Sequence, residues 1–244
     1  HKLLQTILHE DFMKKFTLAI AFSLACMSFG FAQSAENQPK AEASAPVSEE
    51  MKALETAYNL AEYGYANDSA SALIMAAEIL AQTPTAPLSS SSSLSKKEGT
   101  SATAESSTSV EYTVEQLLND AKALYGKDKT MKAWAESVQK LVKSSTRGSV
   151  SGPYYDVDCA SRNGRSFRYT ISFYANSYGE VSVRSLDGCD YDLFIYDENG
   201  NLIDQDVSYS SNAYCSFVPR WTGRFTIVVK NRSRYAGRYQ LTTN

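Results

Sequence analysis

Asp187-Gly188-Cys189-Asp190-Tyr191-Asp192-Leu193-Phe194-Ile195-Tyr196-Asp197-Glu198-Asn199-Gly200-Asn201 is the stretch on which the fold turns. Tyr191, Leu193 and Ile195 fall on one face of an alternating strand, with Asp190 and Asp192 leading into it. Glu198 to Asn201, with Gly200 among them, forms a turn, so the stretch predicts a strand and the start of a hairpin. The Asp197 to Asn201 run is not a calcium loop of the EF-hand kind, because its glycine comes at the fourth position and no Glu follows at the twelfth.

Period two continues on both sides. Candidate strands are Tyr154 to Cys159, Ser166 to Tyr174, Glu180 to Ser185, Tyr191 to Asp197, Leu202 to Asp206, Ala213 to Val218, Phe225 to Lys230 and Tyr239 to Thr243. Gly, Asn, Asp or Ser separates each from the next, and 17 of the 95 residues from Val150 onward are aromatic. Short strands with turn signals between them predict an antiparallel, jelly-roll-like β-sandwich over 154–244.

Upstream the period changes to that of helices. Leu54, Ala57, Tyr58, Ala61 and Tyr65 share a helical face, and Ser69 is placed to cap a second helix bearing Leu73, Ala76, Ala77 and Leu80 that Pro84 stops. Thr113-Val114-Glu115-Gln116 has the form of a capping box for a third helix, whose stripe includes Leu117, Leu118, Ala121 and Leu124 and which Gly126 ends. Met131, Trp134, Ala135, Val138, Leu141 and Val142 give a fourth. Between the pairs, 10 of the 22 residues from Leu88 to Ser109 are serine, and such a segment buries too little apolar area to offset roughly 1–2 kcal/mol per residue of backbone ordering. The expectation is an α+β chain in two parts: helical hairpins or a small bundle over 49–143, split by a disordered serine-rich loop at 84–111, then a linker at 144–153 and the sandwich. The Ala and Tyr pattern of the helices brings tetratricopeptide units to mind, but neither pair carries enough of that consensus, and a bundle is the simpler reading.

At the other end, Met13-Lys14-Lys15, the apolar run Phe16 to Phe31 and Gly30-Phe31-Ala32 read as a signal peptide over 13–32, cleaved after Ala32. Residues 1–12 then read as upstream translation and 33–48 as a flexible leader. A lipoprotein reading through Cys26 competes, although Leu24 stands one position too close to that cysteine for a lipobox. The expected location is secreted or periplasmic, with no transmembrane span in the mature chain. An oxidising compartment favours a disulfide, for which strand parity selects Cys189 with Cys215, the rival being Cys159 with either one.

Several motifs in order give a family resemblance over roughly Ser166 to Asn244. Phe167 to Phe173 stands as the opening strand, Asp190-Tyr191-Asp192-Leu193 as the central motif and Asp197 to Gly200 as its turn. Ala213 to Pro219, Thr222 to Val229 and the closing Gly237-Arg238-Tyr239-Gln240-Leu241 follow. In this order they resemble the bacterial pre-peptidase C-terminal domain, a small secreted β-sandwich. The resemblance implies an accessory domain attached to secreted hydrolases, with binding to carbohydrate or protein surfaces. The region before the sandwich departs from that plan, because helices and a serine-rich segment stand where a hydrolase is expected.

The two histidines, His1 and His9, both precede Met13, so a chain starting there has no imidazole for a Ser-His-Asp or Cys-His arrangement or for a histidine-ligated zinc. No nucleotide-binding glycine loop is present. From Val150 on, 9 arginines and 1 lysine face 10 acidic residues, a balance of zero that argues against a nucleic-acid partner, and such arginines are expected to pair with neighbouring aspartates. Two site readings remain. Asp187, Asp190 and Asp192, with Asp156 and Asp158, supply oxygen ligands of the kind calcium takes, the alternative being solvated strand aspartates. Tyr154, Tyr155, Tyr178, Tyr209 and Tyr235 lie in or beside loops and offer an aromatic ligand surface, the alternative being covers for the sandwich ends. Trp221, at a strand entry, reads as a core plug.

The expectation for function is a non-enzymatic binding or adhesion module of the bacterial envelope or exterior, contacting carbohydrate or protein through the sandwich, with no cofactor unless calcium. The alternatives are a structural accessory whose helices bind a partner protein and, from another class, a carboxylate-dependent hydrolase.

Overall fold

The computed structural model describes residues 35–38, 47–102, 112–145, 153–162 and 164–244. The expected signal peptide over 13–32 with Cys26, the segment before it, most of the expected leader over 33–48, most of the 144–153 linker and 103–111 of the serine-rich segment lie outside the described residues. In chain order the elements are α1 (Glu49–Ala66), α2 (Ala70–Gln82), β1 (Ala86–Pro87), a 3₁₀ turn (Leu88–Ser90), β2 (Leu94–Glu98), α3 (Val114–Tyr125) and α4 (Lys129–Ser145). Eight strands follow: β3 (Tyr154–Ala160), β4 (Ser166–Phe173), β5 (Gly179–Ser185), β6 (Tyr191–Tyr196), β7 (Leu202–Asp206), β8 (Asn212–Phe217), β9 (Gly223–Asn231) and β10 (Gly237–Thr243). The eight candidate strands are therefore present, each within two residues of its expected ends.

The helices form where caps and apolar stripes agree. Ser48, Ser69 and Thr113 side chains accept from the backbone N–H groups of Met51, Ala72 and Gln116, satisfying donors at each N-terminus. The third cap lacks the reciprocal half of a capping box, because the Gln116 amide donates to Asp120 instead. Helix α2 packs between its neighbours through Leu73, Ile74, Ala76 and Ala77, all fully buried. Its approach to α1 depends on Gly64, where a Cβ would stand 2.5 Å from Leu73 Cδ2. A polar contact completes the bundle: Trp134 Nε1 donates to Glu78 at 2.8 Å.

Two five-stranded sheets face each other, in the orders β1-β3-β10-β5-β8 and β2-β4-β9-β6-β7. All pairings are antiparallel except that of β1 with β3. The shared core alternates as the pattern requires: Phe167, Tyr169, Ile171 and Phe173 from β4 meet Val181, Val183, Tyr239 and Leu241 from the opposite sheet. At one end Phe173, Phe217 and Phe225 pack with ring centroids 4.7–5.7 Å apart. At the other, Tyr169 and Tyr239 share a hydrogen bond at 2.7 Å, and Tyr191 donates to the Gly237 carbonyl at 2.6 Å. Burial pushes all three phenols above their ordinary pKa, so they remain protonated donors.

The serine-rich segment is a correction. Instead of a disordered loop, its first part supplies an edge strand to each sheet: Ala86 pairs with Tyr154, and Leu94 to Glu98 run antiparallel to Ile171 to Arg168. Leu88 is 1% exposed within the sandwich core, and Leu94 packs against it. Hydrogen bonds to the open edges of β3 and β4 replace what the small side chains cannot contribute. Within the expected leader over 33–48, Asn37 is fully buried and takes part in four hydrogen bonds.

Residues 36–244 form one compact unit, in which the helices lie on the outer face of the β3-β10-β5-β8 sheet. Arg184 of β5 pairs with Glu62, donates to Asn59 at 3.2 Å and lies over the Tyr58 and Tyr112 rings. Glu180 of β5, fully buried, accepts from the Ser48 N–H at 2.9 Å and from Tyr214 Oη at 2.6 Å. Among the described residues no helix is long and apolar enough to cross a membrane.

Candidate functional site

With one sheet covered, the outer face of β2-β4-β9-β6-β7 is the broad sheet surface left open. Its composition follows from register. Arg168, Val228 and Phe194 are cross-strand neighbours on β4, β9 and β6; Thr170, Thr226 and Tyr196 form the next row; Ser166, Lys230 and Asp192 lie on one side of these rows, and Ser172 with Arg224 on the other. The face is a shallow, open concavity of about 790 Å³. Phe194 and Tyr196 lie side by side along it, ring centroids 6.4 Å apart and planes within 21°.

The rim is built by the turn after β6. Asp197, 2% exposed, accepts from the N–H groups of Asn199 and Asn201 at 2.9 Å, from the Asn201 amide at 2.8 Å and from Asn37 N–H at 3.0 Å. Burial raises its pKa, but these donors outweigh burial and hold the carboxyl below its ordinary range. Glu198 accepts from Trp221 Nε1 and, at 3.3 Å, from the Asn37 amide, while Trp221 N–H donates to Asn37 Oδ1 at 2.9 Å. Trp221 is thus half-buried in a polar rim and is not a core plug. At the opposite margin Arg232 pairs with Asp192 at 3.4 Å, and at the β2 edge Lys96 pairs with Glu98 at 2.7 Å.

Apart from Asp192, the expected site residues lie elsewhere. The five tyrosines are divided between the two ends of the covered sheet: Tyr154 and Tyr155 pair with Thr243 and Thr242, and the Tyr178 carbonyl accepts from Asn244 beside them. Tyr209, 96% exposed, precedes β8 at the other end, where Tyr235 Oη reaches the Gly188 carbonyl at 3.5 Å. They do not make one surface.

The five aspartates do not converge either. Asp156 and Asp158 share Lys97 at 2.5 and 2.8 Å, Asp187 pairs with Arg238, Asp192 with Arg232, and Asp190 accepts from the Ser210 N–H. Among the described residues no group of three or more carboxylates, histidines or cysteines is placed to hold a metal ion. Four of the five are thus paired with lysine or arginine of the fold.

Cys159, Cys189 and Cys215 are free and buried, which corrects the expected Cys189 to Cys215 bridge. Cys189 lies against Gly237, where a Cβ would come within 2.2 Å of its sulfur, whereas Cys215 pairs with Val181, which faces Thr243. Gly237 and Thr243 are opposite ends of β10, about 20 Å of strand apart. Shared parity put the two thiols on inner faces but said nothing of their height along the sandwich.

Phe194, Tyr196, Arg168, Arg224 and Lys230 were missed as site residues. The signal that would find them is parity on three strands at once, outward positions on β4, β6 and β9, which requires the strand order.

No protein-family profile and no curated protein sequence matches the chain. Among solved structures, the chain is similar to the pre-peptidase C-terminal domain of collagenase from Bacillus anthracis, with 17% identity and a TM-score of 0.31 over 36% of this chain and 88% of that one. It is also similar to a family two carbohydrate esterase from Clostridium thermocellum in complex with cellohexaose, at 17% identity and TM-score 0.25, over 37% of this chain and 29% of the esterase. A third similarity is to TmCBM61 in complex with β-1,4-galactotriose, at 16% identity and TM-score 0.23, over 41% of this chain and 72% of that one.

Proposed function

We propose that this protein is a non-enzymatic binding module of the bacterial envelope or exterior, in which the open sheet contacts carbohydrate or a protein surface and the helical layer seals the opposite sheet. The observation that carries the reading is the contrast between the two outer faces. One is closed by α1 through Tyr58, Glu62 and Ser48, and the other leaves Phe194 and Tyr196 side by side among Ser166, Thr170 and Thr226. Flat rings next to hydroxyls suit a ligand with apolar C–H faces and polar edges, which favours a sugar chain. Secretion after cleavage at Ala32 and kinship with the pre-peptidase C-terminal domain belong to the same proposal, the kinship supported by the place of the motifs: Asp190 to Leu193 lead into β6, and Gly237 to Leu241 lie in β10.

The test is a glycan and matrix-protein array probed with the full chain and with a Phe194→Ala/Tyr196→Ala double variant. Retention of one or more glycans or matrix proteins, weakened about tenfold or more in the double variant at unchanged melting temperature, is the expected result. Retention of nothing on the array, or retention indifferent to the two rings, overturns the reading. Steady release of sugar products that stops on Asp190→Asn or Asp192→Asn replaces it with a hydrolase.

A further inference from the structure

The charges on the open sheet are unevenly satisfied. Its carboxylates are engaged: Asp192 by Arg232, Glu98 by Lys96, Asp197 by its turn amides, and Glu198 by Trp221 and Asn37. Arg168, Arg224 and Lys230 are different, because among the described residues none of them has a carboxylate within ion-pair distance. On the covered sheet the comparable arginines, Arg184 and Arg238, do pair, with Glu62 and Asp187.

Register fixes the spacing of the three cations. Lys230 and Arg224 end the outward row of β9, six residues or about 20 Å apart. Arg168 lies between them on β4, level with Val228. The intervals are filled by hydroxyls, Ser166, Thr170 and Thr226, and the two aromatic rings run alongside on β6. This is a track for a chain that carries a negative charge at intervals and hydroxyls between them.

We infer that the open sheet selects anionic polysaccharide, a glycan bearing carboxylate or sulfate groups, by matching those groups to Arg168, Arg224 and Lys230. The inference rests on the proposed reading of this face as the ligand surface and names the ligand class. Guanidinium forks suit carboxylate and sulfate oxygens, and a half-buried Lys230 adds a compact charge. A nucleic acid is the poorer fit, because the sandwich as a whole is not basic.

The experiment measures binding of the full chain to polygalacturonate, heparin, neutral β-1,4-galactan and poly(dT) at low and physiological salt. A triple variant, Arg168→Ala/Arg224→Ala/Lys230→Ala, is compared with a charge-matched control in the helical layer, Lys122→Ala/Lys127→Ala/Lys140→Ala. Expected are binding to an anionic glycan that weakens as salt rises, a loss of about tenfold or more in the triple variant, and no loss in the control. The polygalacturonate and heparin arms separate carboxylate from sulfate. Equal binding of neutral galactan, untouched by the triple variant, overturns the inference but leaves the ligand surface standing. Tighter binding of poly(dT) than of either polyanionic glycan overturns it in favour of nucleic acid, and binding of none of the four overturns it outright.

Discussion

Gln240 of β10 donates from Nε2 to Tyr58 Oη of α1 at 2.6 Å, a buried hydrogen bond between residues 182 positions apart. It joins the closing strand of the sandwich to the first helix. Burial raises the Tyr58 pKa, so the phenol stays neutral and available to accept. Tyr58→Phe strands a buried amide and is expected to cost about 1–3 kcal/mol in urea unfolding. The double variant Tyr58→Phe/Gln240→Leu should recover part of that loss, since removing both partners leaves no orphan.

The helices and the sandwich should unfold in one transition. A fragment beginning at Pro153 loses β1, β2 and the buried Leu88, and uncovers Glu180, Arg184, Gln240 and Thr242 on the sheet face. Its melting temperature should fall well below that of the full chain, and circular dichroism with calorimetry decides the point. Two separate transitions in the full chain, with the second matching the fragment, would falsify this account.

Acid should weaken the rim. The folded-state pKa of Asp197 lies below its ordinary value, so its stabilisation is present above about pH 4 and is lost as pH falls through the folded value. Asp158 and Asp206 are depressed in the same sense: burial raises them, and hydrogen bonds from Lys97 and Ser101 to the first, and from Ser208 to the second, outweigh it. Thermal melts from pH 7 to pH 2 should show a smaller acid-dependent loss in Asp197→Ala, from a neutral-pH stability lowered by about 1–3 kcal/mol.

Lys97 serves two carboxylates at one sandwich edge. Lys97→Met leaves Asp156 and Asp158 facing each other without a cation, and with all three groups only partly screened from water the expected cost is about 1–3 kcal/mol. Added calcium should not raise the melting temperature of the unaltered protein, because four of the five aspartates are paired with cations of the chain and the five do not converge. A calcium-dependent rise of several degrees would show that they rearrange around the ion.

The three described cysteines should resist alkylation until the protein unfolds. Burial pushes the Cys215 and Cys189 thiols up, and burial with the Asp187 and Asp158 charges does the same for Cys159, so little thiolate is present at neutral pH. Peptide mapping after alkylation in the native and denatured states measures this, and a reductant should leave the melting temperature unchanged.

The strands were legible because their inner faces are apolar at every second position, with Gly, Asn, Asp or Ser at each break. Tyr191, Leu193 and Ile195 are all fully buried, as the alternation required. The same alternation misleads on the outer faces. Glu180, Arg184, Gln240 and Thr242 read as solvent positions, yet α1 covers them and supplies polar partners, which leaves the pattern of residues unchanged. Composition hid the edge strands, since two leucines, Leu88 and Leu94, pin a tract that is otherwise serine. The candidate site escaped for a topological reason: β4, β9 and β6 are neighbours in space but not in sequence, so Arg168, Arg224 and Phe194 meet only through pairing.

Sealing one sheet under helices has a consequence for valence. On the proposed reading, a single copy grips a polymer through one sheet face only. Firm hold on a repetitive matrix would then come from many copies engaged along it, each bond weak and quickly exchanged, so that attachment strengthens steeply with how densely the protein is displayed.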